Sequence, residues 1–276
     1  MKAALLQLTS GDDPLANLTQ TLGFVAEAAA QGAGFVLTPE VTNCVSQDRA
    51  RQDAVLQHER DDVTLAALRA AAIGHGIWIS IGSLALKTDD PDGRFANRSF
   101  LIDPAGQIVA RYDKIHMFDV TVSPTETYRE SAGYRPGDRA IVVDTPFAKI
   151  GLSICYDIRF AYLYRALAQS GAQVLLAPSA FSPVTGAAHW ESLLRARAIE
   201  TGSYVLASAQ TGTHPARSGK ARQTYGHSMA ISPWGEVLLD MGTDQGVALL
   251  ELDLALVAQS RERIAALGHD RPFEGP

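Results

Sequence analysis

Cysteine is nearly absent from this chain: Cys44 and Cys155 are the two in 276 residues. That scarcity excludes a disulfide framework, and in a reducing compartment it leaves each thiol as a small buried hydrophobe or a reactive group. Seven histidines show no H-x-x-x-H spacing, so no histidine metal site is expected. Charge of one sign does not accumulate either, with 24 Lys and Arg against 30 Asp and Glu for a net −6. Nucleic acid and membrane surfaces are therefore not expected partners. The N-terminal apolar run in MKAALLQLTSGDD soon meets acid and a turn signal, too early for a membrane span or a signal-peptide core. A cytoplasmic location is expected. No Pro-, Gly- or Ser-rich linker divides the chain, which reads as one domain over 1–276 with a polar tail from about 266.

What is present is an alternation. Strand-like runs (AALLQL, GFVLTP, IWISIGSLAL, KIGLSIC, AQVLLAPSA, SYVLASAQ) interleave with helix-like runs (LANLTQTLGFVAEAAAQG, VTLAALRAAAIGHG, FAYLYRALAQSG, HWESLLRARAIETG), the pattern of an α/β domain. The halves also resemble each other. Segments 2–8, 31–40, 74–83 and 97–113 line up, in order, with 149–155, 170–179, 201–210 and 226–242. Two similar half-domains, each a sheet covered by two helices and stacked through bare sheet faces, make a four-layer α-β-β-α sandwich with an internal pseudo-two-fold duplication. DPAGQIV and SPWGEVL fit hairpin turns, because Pro and Gly supply the backbone angles such turns need. Stretches 118–138 and 211–227 lack periodicity and are expected as long loops bordering a site.

Three strand ends carry chemistry. KIGLSIC ends a strand and YDIRFAYLYRALAQSG begins a helix, which places Cys155 at a corner where peptide N–H groups and the helix dipole favour a thiolate. Glu40 closes GFVLTPE at the rim where ligands of open α/β sheets bind. Lys114 follows a hairpin strand in ARYDKIHMFD, among apolar and aromatic neighbours. Taken singly, each has a plain structural alternative: a core cysteine, a cap, a surface ion pair. Together they form a base, an oxyanion donor and a nucleophile for acyl transfer, chemistry that needs neither a metal nor an organic cofactor.

LTPEVTN, RYDKIHMFDV and ICYDIRF resemble the three motifs of the nitrilase, or carbon–nitrogen hydrolase, superfamily, in order and with compatible spacing over nearly the whole chain. SAFSPVTGAAHWESLLRARAIET and YGHSMAISPWGEV resemble the Nit branch, whose members hydrolyse small carboxylate-bearing amides. The resemblance implies Cys155 as nucleophile, Lys114 and the Tyr156 backbone N–H as oxyanion donors, Glu40 as proton carrier and Glu130, in TYRES, as a second glutamate. It implies a cysteine-dependent amidohydrolase for an amide of the deaminated glutathione type, with an ω-amidase, an N-carbamoyl amidohydrolase or a nitrilase as enzymatic alternatives. A silent interaction protein is the non-enzymatic one.

For the substrate carboxylate Arg159 is the expected reader, one turn after Cys155, its alternative being an ion pair with Asp157 or Glu191. Phe181 and Thr185 are the expected cavity wall. Arg217, Lys220 and Arg222 make the stretch 211–227 basic, which suits a polyanionic substrate. His116, and His189 at the opening of a helix, read as structural hydrogen-bonders, and Cys44 as a bystander. The partners implied are a small-molecule carboxylate amide, water and a second copy of the chain in a homodimer.

Overall fold

The computed structural model describes residues 1–123, 126–217 and 219–275; the expected loops and the expected tail include positions 124, 125, 218 and 276, which lie outside the described residues. The first half runs β1 (Lys2–Gln7), α1 (Pro14–Ala30), β2 (Phe35–Leu37), α2 (Arg49–Val55), α3 (Val63–His75), β3 (Trp78–Leu86), β4 (Ala96–Ile102) and β5 (Ile108–Asp113). A hairpin of β6 (Asp119–Ser123) and β7 (Glu126–Arg129) follows. The second half runs β8 (Val142–Asp144), β9 (Lys149–Leu152), α4 (Ala161–Gln169), β10 (Val174–Leu176), α5 (Pro183–Thr201) and β11 (Tyr204–Ala207). After it come a hairpin of β12 (Thr211–Thr213) and β13 (Gln223–Tyr225), then β14 (Met229–Ile231), β15 (Val237–Asp240), β16 (Gly246–Glu251) and α6 (Ala255–Arg263).

Two six-stranded sheets share one plan. The first has the order β16-β1-β2-β3-β4-β5 and the second β8-β9-β10-β11-β14-β15. Each begins with an antiparallel edge strand, continues through three parallel strands and closes on an antiparallel hairpin. The hairpin turns carry the glycines expected there, Gly106 and Gly235, at φ of 73° and 91°. Side-chain alternation then separates the faces. Ala4, Leu6, Val36 and Ile79 face Val25 of α1 and Leu68 of α3. Leu5, Phe35 and Leu37 face the second sheet, where Ile150, Val174 and Leu206 meet them. Leu167 of α4 and Trp190 and Leu194 of α5 cover the far side, completing the α-β-β-α sandwich. Each such Phe or Leu side chain contributes about 1.5–3 kcal/mol on burial, so the sheet-to-sheet contact is a main source of stability.

Polar atoms also cross the seam. Ser208 Oγ donates to Leu37 O (2.8 Å), and Gln210 Nε2 donates to both Ser10 Oγ and Glu40 O (3.0 Å each). These bonds fix how far the strand ends of the two sheets are offset, because a buried amide left unpaired is costly.

Three expectations change. The helix after the Cys strand does not start at Tyr156: residues Cys155–Arg159 form a 3-10 turn, and α4 begins at Ala161 because Phe160 leaves helical angles (φ −106°, ψ 85°). His189 lies inside α5, since Pro183 presets the first helical position and Ser182 is the cap residue. The stretches 118–138 and 211–227 hold hairpins, β6–β7 and β12–β13, whose short strands pair with each other rather than with a main sheet. Among the described residues no helix is long and apolar enough to cross a membrane.

Gly82 marks a close approach of backbone segments within the first half, with Pro178 of the second half also in contact. A Cβ there would lie 2.1 Å from Thr38 O, 2.5 Å from Pro39 O and 2.5 Å from Pro178 Cβ. Backbone atoms cannot yield as a flexible side chain does, so Gly82→Ala is expected to destabilise the protein by more than ~3 kcal/mol. Urea denaturation measures it, and a loss under ~1 kcal/mol would show that the strand ends separate freely.

Candidate active site

The parallel strands deliver their C-terminal ends to one place. β2 ends at Leu37 and β9 at Leu152; Glu40 and Cys155 each follow three residues later, and Lys114 directly follows β5. Glu40, Lys114, Cys155 and Glu130 all line one open cavity of about 550 Å³. Lys114 Nζ donates to Glu40 Oε1 (2.8 Å) and to Glu130 Oε1 (2.9 Å). Both Glu40 and Lys114 are buried. The Cys155 thiol lies close enough to Glu40 for the two groups to shift each other's pKa.

The electrostatics follow from burial and pairing. Burial alone raises a carboxyl pKa, but the Lys114 ammonium more than offsets it, so Glu40 sits below the usual carboxylate range. Burial works against the ammonium too, yet Glu130 and Glu40 lift Lys114 well above its ordinary value. For Cys155, burial and then the Glu40 charge push the thiol up, more than Lys114 pulls it down. At neutral pH the proton therefore rests on sulfur, with a charged carboxylate beside it. The favourable corner expected to give a standing thiolate is outweighed by desolvation and the neighbouring carboxylate.

Cys155 occupies a strained corner. Its φ is +48°, and Val41, which follows Glu40, has +47°. Such angles cost a non-glycine residue about 1–2 kcal/mol and persist where surrounding bonds dictate them. Cys155 N donates to Pro178 O (2.9 Å), and Val41 N to Ser83 Oγ (2.8 Å). With the Cys155 amide committed, the next amide, that of Tyr156, has no acceptor among the described residues.

Several contributors escaped the sequence reading. Asn97 Nδ2 donates to Glu40 Oε1 (2.9 Å) and reaches Glu130 Oε1 (3.4 Å), so one amide keeps both carboxylates oriented on Lys114. Ala180 N donates to Glu40 Oε2 (2.9 Å), and Phe118 N to Glu130 Oε2 (2.6 Å). Asp157, fully buried, accepts from Ile154 N (2.9 Å), His116 N (3.0 Å) and Tyr112 Oη (2.6 Å), and pairs with His116 Nδ1 (2.7 Å). It thereby ties the Cys155 turn to the segment after Lys114. An Asp two residues past a strand-end cysteine was the available signal, but two of its partners, Tyr112 and His116, lie 45 and 41 residues away.

The remaining expected residues divide. Tyr156, Phe181 and Thr185 line the cavity, whereas Arg159 is not among its lining. Arg159 lies 5.4 Å from the Phe181 ring centroid and 5.9 Å from that of Tyr156, with Nη2 3.3 Å from His189 Nδ1. Among the described residues it pairs with neither Asp157 nor Glu191; the latter bonds Arg195 (3.1 Å). Cys44 comes closer than a bystander: it lines the cavity, but burial and Asp12 push its thiol up to about 12. Among the described residues no group of three or more His, Cys, Asp and Glu is placed to hold a metal ion.

Comparison with known proteins adds an independent line. The carbon–nitrogen hydrolase family profile matches residues 2–262. A deaminated glutathione amidase of Yersinia enterocolitica is 37% identical over 269 residues, covering 97% of this chain and 92% of its own. The C. elegans NitFhit protein superposes with a TM-score of 0.89 at 36% identity over 98% of this chain, which spans 65% of that protein's length. A Saccharomyces cerevisiae member of branch 10 of the nitrilase superfamily gives 0.82 at 27% identity, covering 96% of this chain and 94% of its own.

The placement of the resting proton is measurable. Iodoacetamide labelling of Cys155 is expected to be slow at pH 7 and to keep rising beyond the ordinary thiol value of about 8.5, with Cys155→Ala as the blank for Cys44. A plateau already reached below pH 8 would reveal a preformed thiolate instead.

Proposed function

The chain belongs to the carbon–nitrogen hydrolase family, and from that premise we propose that it is an amidase cleaving a carboxylate-bearing amide of the deaminated glutathione type. Relatives bearing that name, 36–38% identical over 97–98% of this chain, carry the proposal. The cavity supports it: 550 Å³ falls in the size range of small-molecule sites, and Arg49, Arg129 and Arg222 are among its lining.

In the proposed reaction Cys155 attacks the amide carbonyl while its proton passes to Glu40. A C–S bond forms, and the carbonyl electrons move to an oxygen held by Lys114 Nζ and the Tyr156 N–H. These donors stand in a buried site, where they stabilise developing charge far more than in water. Collapse of the tetrahedral adduct breaks the C–N bond, and the departing amine takes the proton from Glu40. Glu40 then draws a proton from water, whose oxygen attacks the thioester; the C–S bond breaks and the sulfur recovers its proton. General-base assistance of this kind contributes roughly 10²–10⁴-fold. Glu130 also holds Lys114, so the ammonium keeps a charged partner when Glu40 becomes neutral.

Residues 1–276 are proposed as one such domain with the tail from about 266, a reading supported by a hydrophobic core common to both sheets. Both cysteines are free, in keeping with a cytoplasmic location. A homodimer is proposed too. Ile199 of α5, with Trp234 and Leu238 at the β14–β15 hairpin, leaves apolar surface exposed for such a contact.

Release of amine or ammonia from deaminated glutathione, α-ketoglutaramate, an aliphatic nitrile and an N-carbamoyl amino acid tests the reaction. Turnover led by deaminated glutathione and lost by at least about 10³-fold in Cys155→Ala, with an unchanged melting temperature, is expected. Preference for another member of the panel would reassign the substrate, and activity surviving in Cys155→Ala would remove the nucleophile. Sedimentation equilibrium is expected to give twice the 29.5 kDa chain mass; a monomer at micromolar concentration would sink the dimer.

A further inference from the structure

We propose that Arg98, on the outer face of the first sheet, is a positioning residue for the amide cleavage: paired with Asp113, it fixes the point at which β5 leaves β4 and so aims Lys114 into the cavity. This rests on the amidase reading above. Asn97 and Lys114 line the cavity, whereas their chain neighbours Arg98 and Asp113 do not. By strand alternation Arg98 shares its face of β4 with Phe100 and Ile102, which pack with Leu68 of α3.

The end of β5 needs such a pin. β5 is an edge strand, and its pairing with β4 is irregular: Ile102 pairs with Ile108 and Leu101 with Ala110, so Val109 is an inserted residue. A bulge of this kind decides which side chains face the seam. With it, Ala110 and Tyr112 face the second sheet and Lys114 follows them inward by alternation. A pairing one residue off would turn Arg111 and Asp113 inward and Lys114 out. The apolar residues choose between these faces, but Asp113 is the last β5 residue on the ladder. Beyond it β4 changes partner: Phe95 N donates to Gly133 O and Arg135 N to Phe95 O (2.9 Å each). Lys114 stands at that changeover, its N–H donating to Asn97 O (3.0 Å) and its carbonyl accepting from Gly137 N (2.8 Å).

Arg98 closes this end as a fork. Its Nε donates to Asp113 Oδ1 (2.6 Å) and its Nη2 to Asp113 Oδ2 (2.8 Å), and the two residues are direct register partners. Its Nη1 donates to Glu59 Oε2 (2.7 Å), while Glu59 Oε1 accepts from Arg111 Nε (2.7 Å). Two-point pairing sets direction as well as distance, and a network of charges holds better than an isolated surface pair. The Asp113 backbone is closed in as well, since a Cβ on Gly137 would lie 2.3 Å from its carbonyl oxygen. The reaction feels Arg98 only through Lys114 and Asn97, and a displacement of about 1 Å in such a group costs up to ~10²-fold in rate.

The test compares Arg98→Gln, Arg98→Lys, Asp113→Asn and the double variant Arg98→Gln/Asp113→Asn, with Arg111→Gln, which gives up a Glu59 contact alone, as the control. On the panel compound that the wild type turns over best, Arg98→Gln is expected to lower kcat at least about 10-fold with KM within about threefold. Arg98→Lys is expected to recover part of this loss, and Arg111→Gln to stay within about threefold of the wild type. The double variant is expected to lose no more than about threefold beyond either single one, because the same pair is removed in each. A second readout needs no substrate. Exchange of the Lys114 amide hydrogen is expected to speed up at least about 10-fold in Arg98→Gln, while the amides of β9 and β10 keep their wild-type rates. A kcat loss matched by Arg111→Gln, or a Lys114 amide that exchanges at the wild-type rate or only in step with β9 and β10, overturns the assignment. If the wild type turns over nothing in the panel and the Lys114 amide still responds to Arg98→Gln by itself, the amidase reading fails and the positioning of Lys114 by Arg98 stands.

Discussion

One ammonium between two carboxylates, buried where three strand ends meet, sets the terms for this fold. Lys114 carries a single positive charge against Glu40 and Glu130. Taking such charges out of water costs several kcal/mol per ion unless hydrogen bonds satisfy them closely. The required partners come from distant parts of the chain: the Asn97 amide from β4, the Ala180 amide from after β10 and the Phe118 amide from the start of the β6–β7 hairpin. A shift of an ångström in any of these elements would leave a buried charge short of a partner. The close approach at Gly82 and the polar seam through Ser208 and Gln210 are the features that hold the offset.

The same constraint explains where strain is kept. Val41 and Cys155 adopt left-handed angles beside Glu40 and at the thiol, and each is pinned by a hydrogen bond from its backbone N–H to a neighbouring segment of its own sheet. The second sheet supplies the anchor for Cys155 through Pro178, while the first anchors Val41 through Ser83. Burial and the Glu40 charge raise the Cys155 thiol while Lys114 keeps Glu40 low, so a protonated sulfur stands beside a charged carboxylate.

Periodicity made the sheets, α1 and α3 legible, since hydrophobic patterning is a local signal; the caps Asp13 and Asp62 emerged with the structure. Hairpin turns were legible for the same reason. The misplaced start of α4 and the position of His189 had nonlocal or masked causes. Asp157 holds the Cys155 turn through bonds to Ile154, Tyr112 and His116, and Ser182–Pro183 begins α5 inside a segment that reads as a turn. The two aperiodic stretches became hairpins because each strand finds its partner within the same stretch, a pairing too short to leave a repeating apolar pattern.

By itself the sequence determined the α/β class and the strand ends carrying Glu40, Lys114 and Cys155, because motif residues and strand boundaries are both written in neighbouring positions. Only the tertiary structure decided which cations face the cavity. Arg159, one turn from Cys155, stands against the Tyr156 and Phe181 rings without lining it, while Arg222, 67 positions further along from 155, enters it. Side-chain direction there depends on how two hairpins and the seam between two sheets pack, and those contacts join residues far apart in the chain.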